Sequence, residues 1–268
     1  MGKAILFVVA LVFLNWNLFS QSGGRGREPF EVKNLTFFAD GTLDEYMTTE
    51  WNNTYTHRDN EIKYSASGAM LEQVEYAYND DKGWLTTKIT RDVESRLKNR
   101  WVYQYNDQGK RWRESLVDNK GKVSSTFEYA YDAKGNVISR VMKNRTGNKL
   151  SEITYTYDSG GKMLTSETKD AGDNKIASTK YNYDSQGNLI STQVTNSAGQ
   201  VTQVTNSVFQ GMLETRYEQK TPDGSVLMRV TYEYGKDSEL TKKTIENIQG
   251  SSKQVIQYEY VFRPRRQS

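Results

Sequence analysis

The chain has 268 residues, 36 Lys and Arg against 33 Asp and Glu, one His and no Cys. That length allows one large domain or two small ones. The near-neutral charge excludes a strongly basic nucleic-acid binder. The missing Cys excludes thiol catalysis, zinc–thiolate sites and disulfides. Only 35% of residues are hydrophobic, yet 12% are aromatic and 18 are Tyr. Soluble domains usually run at about 45–50% apolar, so the expected core is thin and tyrosine-rich.

Residues 1–21 read as a secretory signal peptide. Lys3 supplies the positive start, and Ala4–Leu14 is an apolar run too short for a bilayer span. No Cys follows it, so lipid attachment at a bacterial lipobox is excluded. Residues 22–29 (SGGRGREP) read as a flexible linker. Residues 30–262 form the repeat domain, and residues 263–268 a small basic tail. After signal cleavage no transmembrane insertion is expected.

The repeat carries most of the information. Tyr-x-Tyr-[Asn/Asp]-x-x-Gly recurs at Tyr103–Gly109, Tyr129–Gly135, Tyr155–Gly161 and Tyr181–Gly187, so the second Tyr falls at 105, 131, 157 and 183, a period of 26. The register extends forward to Phe209, Tyr234 and Tyr260, and backward to Tyr78 and, with Trp51 in the aromatic place, to Asn52. A second turn lies inside each repeat, as in Asp118–Gly121, Asn144–Gly147 and Asn196–Gly199. Asp or Asn followed by x-x-Gly fits a type I turn closed by a left-handed Gly. On this reading Asp132, Asp158 and Asp184 close turns, and Gly135, Gly161 and Gly187 take positive φ. The segments between turns are rich in Tyr, Thr, Val and Ile, which is strand chemistry. One repeat is one β-hairpin, and roughly nine repeats give roughly 16–18 strands.

The expected fold is therefore all-β: a long antiparallel meander of hairpins, curled as a single-layer sheet, gutter or shell. Simple alternation sets Tyr131 opposite Val137, Tyr157 opposite Met163 and Tyr183 opposite Leu189. It also sets Tyr129 opposite Ser139, Phe127 opposite Val141, and Glu128 with Arg140 on the other face. Away from the Tyr edge the Tyr face turns polar, through Thr179, Lys175, Gln193 and Gln203. An outer-membrane barrel is rejected, because Glu128, Arg140, Glu152 and Lys180 break any lipid-facing apolar band.

The segments Tyr131-Asp132-Ala-Lys-Gly135-Asn136-Val137 and Tyr183-Asp184-Ser-Gln-Gly187-Asn188-Leu189 resemble the YD repeat of Rhs-type and teneurin-like proteins. The resemblance covers most of residues 70–262. It implies spiralling hairpins that build a hollow shell, as in proteins that enclose toxin cargo or act in cell-surface adhesion and carbohydrate contact. The repeat here is longer than the family's usual one and the chain far shorter than a complete toxin-holding shell. A stand-alone surface or periplasmic β-repeat protein is the expectation.

No phosphate-binding loop, dinucleotide fingerprint or nucleophile elbow occurs. The Asp-x-x-Gly turns lack the dense alternation of a calcium loop. His57 near Asp59 reads as a surface residue, and Glu128 and Glu152 as a solvated face rather than a glycosidase pair. No catalytic, cofactor-binding or metal-binding residue is expected. The candidate ligand surface is the Tyr rows: Tyr105, Tyr129, Tyr131, Tyr155, Tyr157, Tyr181 and Tyr183. Their rings suit either a packed band or sugar stacking. The functional expectation is an exported, non-enzymatic scaffold or protein-interaction protein of the cell envelope. The alternative is a carbohydrate-binding surface protein. The expected partner is a protein or polysaccharide of the envelope, not a nucleic acid.

Overall fold

The structure, a computed structural model, describes residues 29–52 and 57–262. The segments read as a signal peptide and, up to residue 28, a linker, and the tail at 263–268, lie outside the described residues. Eighteen strands follow one another, from β1 (Pro29–Phe37), β2 (Leu43–Trp51) and β3 (Arg58–Ser65) to β18 (Ser252–Phe262). Between them run β4 (Met70–Tyr78), β5 (Leu85–Asp92), β6 (Leu97–Tyr105), β7 (Arg111–Val117), β8 (Val123–Tyr131), β9 (Val137–Asn144) and β10 (Lys149–Tyr157). Then come β11 (Met163–Asp170), β12 (Lys175–Tyr183), β13 (Leu189–Asn196), β14 (Val201–Gln210), β15 (Leu213–Lys220), β16 (Val226–Tyr234) and β17 (Leu240–Asn247).

Every strand pairs antiparallel with its neighbours in sequence, and β1 also pairs with β18, from Val32 opposite Tyr260 to Phe37 opposite Val255. The sheet is thus a closed 18-stranded barrel, which corrects the expected open, curled sheet, gutter or shell. Closure is the physical answer to a long meander, since it leaves no unpaired edge. The closed sheet therefore offers no free edge strand for partner contacts. The wall is one layer: no large side chain among the described residues is completely buried, and the most buried apolar residues are Val32, Val74, Val117, Tyr155 and Val230.

The turns form as the sequence dictates. In the β8–β9 turn, Asp132 Oδ1 accepts the Asn136 N–H at 2.8 Å and the Gly135 N–H reaches the Asp132 carbonyl at 3.0 Å. Asp158 Oδ1 takes the Lys162 N–H, and Asp184 Oδ1 the Asn188 N–H, both at 2.8 Å. Gly135, Gly161 and Gly187 have φ of 86°, 87° and 91°.

The register departs from simple alternation. Tyr131 does face Val137, Tyr157 faces Met163 and Tyr183 faces Leu189. A bulge follows at once, between Ala130 and Tyr131. One extra residue on β9 shifts all later partners by one. Tyr129 therefore faces Arg140, Phe127 faces Met142, and Glu128 faces Val141. Because a one-residue slip exchanges faces, Arg140 joins the tyrosines. Glu128 instead pairs on the opposite face with Lys143 at 2.5 Å, with Arg113 at 3.9 Å. Gln193 likewise lies opposite Lys180, off the Tyr face.

Candidate functional site

The rim where β8 turns into β9 carries two stacked rows of tyrosines. The row nearer the turns bonds to the preceding hairpin. The hydroxyl of Tyr157 donates to the Val137 carbonyl at 2.6 Å, that of Tyr105 to Leu85 at 2.9 Å and that of Tyr131 to Arg111. Tyr234 and Tyr260 repeat the bond to Glu214 and Leu240, at 2.8 and 2.6 Å. For Tyr183 the corresponding group is the Met163 backbone. Each acceptor stands 20 residues before its tyrosine, at the strand residue that opens the previous bulge.

The second row is matched by polar partners 15 residues earlier. The Tyr76 hydroxyl donates to Glu61 at 2.6 Å, and Glu61 also takes Arg58 at 2.8 Å. One repeat pair later, Glu114 holds Arg111 at 2.7 Å and acts on Tyr129. Tyr155 meets Arg140, and Tyr181 meets Ser166 Oγ at 3.2 Å. No sequence motif marked this row, because its members differ in type (Glu61, Lys88, Glu114, Arg140, Ser166, Thr192) and only their period is shared.

Burial pushes the Tyr103 and Tyr157 hydroxyls up to about 12, and it also raises Tyr129, Tyr131, Tyr155 and Tyr183. On the same face, burial raises the Glu214 carboxyl and lowers Lys243. Among the described residues, groups moved chiefly by burial all lie on this Tyr face. The opposite face behaves differently. There Glu218, 8% exposed, is held low chiefly by the hydrogen bond from Arg229 at 2.9 Å. In a closed single-layer wall the more enclosed face is the inner one, so these two tyrosine rows point inward with Arg58–Glu61 and Arg111–Glu114, while Tyr46, Tyr64 and ion pairs such as Glu128–Lys143 face outward.

The inner face has two sectors. Over β6–β10 it is apolar, with Trp101 opposite Leu116, Phe127 opposite Met142, and Ile153 opposite Arg140. Trp101 and Phe127 stack at 6.0 Å. Over β11–β14 it is hydroxyl-rich: Ser166 and Tyr181 bond each other, as do Thr192 and Thr205 at 2.6 Å.

Along the Tyr rim the turns from Gly83 to Gly187 are linked in series, the residue after one turn packing on the Gly of the next turn of that rim. A Cβ on Gly135 would lie 2.8 Å from Lys110 Nζ, and one on Gly109 would lie 2.8 Å from the Trp84 ring. His57 serves the first such link, with Nε2 2.9 Å from the Gly83 carbonyl and its ring 4.3 Å from that of Tyr78. A groove of about 520 Å³ opens between two neighbouring turns of the Tyr rim, lined by Lys110, Trp112, Tyr129, Tyr131, Asp132 and Lys134. Among the described residues no three His, Asp or Glu are placed to hold a metal ion.

No family profile and no curated protein matches the chain. Solved structures similar to it include a porin-like protein from Bacteroides uniformis, at 11% identity over 88% of this chain and 99% of that one, with a TM-score of 0.46. The Photorhabdus luminescens Tc holotoxin is similar at 16% identity over 79% of this chain and 14% of that one, TM-score 0.35. A DUF1329 family protein from Desulfovibrio piger gives 11% identity over 90% and 87%, TM-score 0.27. Likenesses this distant do not bear on what the chain does, and the YD-repeat resemblance rests on its motif.

Proposed function

We propose that this chain is an exported, non-enzymatic barrel of the cell envelope or surface that works as an interaction scaffold through its inner face. The observation that carries this reading is closure. With β1 paired to β18 there is no edge strand to extend, and the outer wall is occupied by ion pairs. Arg113–Glu128–Lys143 and the set of Arg216, Lys220 and Arg229 around Glu218 are the fullest of these. Such a wall suits water rather than lipid. The inner face combines two tyrosine rows with unlike sectors, and aromatic anchors dominate recognition. A second reading, carbohydrate binding, draws on the uncharged hydroxyl sector of β11–β14.

The test is capture on the tagged full-length protein from envelope and secreted fractions, read by mass spectrometry. A stoichiometric protein partner retained by Lys143→Gln, on the outer face, and lost with Arg140→Gln, on the inner face, supports the scaffold. Retention on envelope polysaccharide without a protein partner favours the carbohydrate reading. A partner lost only with Lys143→Gln contradicts the use of the inner face.

A further inference from the structure

We infer that the inner face over β5–β10 is a binding wall for an anionic amphiphile, an acyl chain that ends in a carboxylate or phosphate. This rests on the reading that the inner face is the working surface, and it names the ligand chemistry.

Three observations converge. The first is an apolar belt. Trp101, Leu116, Phe127, Met142 and Ile153 stand on five consecutive strands, all inward and all half-buried. Half-buried apolar surface facing the inside of a single-layer wall retains the capacity to gain from burial. Each Å² covered by an alkyl chain contributes about 25 cal/mol.

The second is charge. The inward charged side chains of β5–β10 include Lys88, Arg111, Glu114 and Arg140, with Asp92 at the far rim. Both carboxylates are already held, Glu114 by Arg111 at 2.7 Å and Asp92 by Arg96 at 2.8 Å. The sector therefore presents a net positive charge beside its apolar belt. Lys88 lies directly opposite Trp101. The Arg140 guanidinium lies over the Phe127 ring, 4.2 Å from its centroid.

The third is the chemistry of the Arg140 head group. Its Nε has no hydrogen-bond partner but is shielded from solvent beside the Phe127 ring, as Arg113 Nε is shielded on the outer face, so it reaches a ligand oxygen only when the side chain turns. A guanidinium flanked by aromatic area matches a carboxylate or phosphate oxygen in charge and planarity. A neutral glycan would leave the charge uncompensated, and a cationic ligand would be repelled.

The experiment titrates the full chain by calorimetry with dodecanoate, below its micelle concentration, and with dodecyltrimethylammonium, which has the same tail and the opposite head charge. Dodecanoate is expected to bind roughly tenfold or more tightly than the cation, a preference that a charge-assisted hydrogen bond can supply. Arg140→Gln should erase that preference, while Lys143→Gln on the outer face leaves it intact. Circular dichroism reports folding, and Lys88→Gln is the second variant if Arg140→Gln fails to fold. Absence of dodecanoate binding, equal binding of both heads, or loss with Lys143→Gln overturns the inference. A protein partner captured through the inner face without dodecanoate binding would leave the scaffold reading standing and remove this one.

Discussion

The tyrosines of the turn-proximal row do two jobs with one side chain: the ring fills the inner face and the hydroxyl bonds a neighbouring hairpin. Tyr157→Phe keeps the ring and deletes the bond to Val137. It should cost about 1 kcal/mol, the usual net worth of a hydrogen bond, measurable by urea denaturation. Ionisation gives a second check. Tyr103, Tyr157 and Tyr234 are pushed up to about 12 chiefly by burial. A raised folded pKa contributes stability that is complete below the unfolded value near pH 10 and is lost as pH climbs through the folded value. Absorbance titration at alkaline pH should therefore show these phenols ionising together with unfolding, not ahead of it. The turn carboxylates act with the opposite sign. Asp132 and Asp184 are held low chiefly by the side-chain amides of Asn136 and Asn188. Their contribution is present above the unfolded value near 4 and is lost as pH falls through the folded one. The melting temperature should drop on acidification in the parent and drop less in the Asp132→Asn, Asp184→Asn double variant.

The hairpin with its turn and bulge is the unit that repeats. Gly135 combines φ of 86° with close approach of Lys110. The lysine tip can move aside, so Gly135→Ala should be destabilised mainly by the left-handed backbone, about 1–2 kcal/mol. The converse holds at Ser238, which takes φ of 64° where most other turns have Gly. Ser238→Gly should stabilise by about 0.5–1 kcal/mol once the entropy cost of Gly is offset, as a rise in the denaturation midpoint. At this scale the sequence was informative about turns and strands. Asp-x-x-Gly marks a turn by local hydrogen bonding alone, and the facing pairs beside each turn follow from it. The bulge one residue further on was not legible. Val137 and Ile138 are both apolar, so no alternation broke there to signal the extra residue. That single residue moved Arg140 to the inner face, left Glu128 on the outer one without its expected partner, and shifted the pairing of every later position in the hairpin. The partner row from Glu61 to Arg140 was hidden for the same reason, since its face assignment depends on the bulge.

For the whole molecule, closure decides which face is inside and what a partner can touch. Nothing local in β1 or β18 announces that they pair, because ring closure depends on strand number, tilt and stagger summed over all strands. The Tyr spacing is equally compatible with a spiral, a gutter or a barrel. The outer ion pairs fit the closed form: each charge faces water and gains little individually, yet together they keep the outer wall polar. The most direct test of this account is a disulfide across the seam. Lys33 faces Glu259 between β1 and β18, and the chain has no Cys of its own. Cross-strand neighbours lie within disulfide reach. Under mild oxidation the double variant Lys33→Cys, Glu259→Cys should form the intramolecular bond with its β circular dichroism unchanged and its thiols lost to reagent. Free, fully reactive thiols in the folded monomer would show the seam open and contradict the closed barrel.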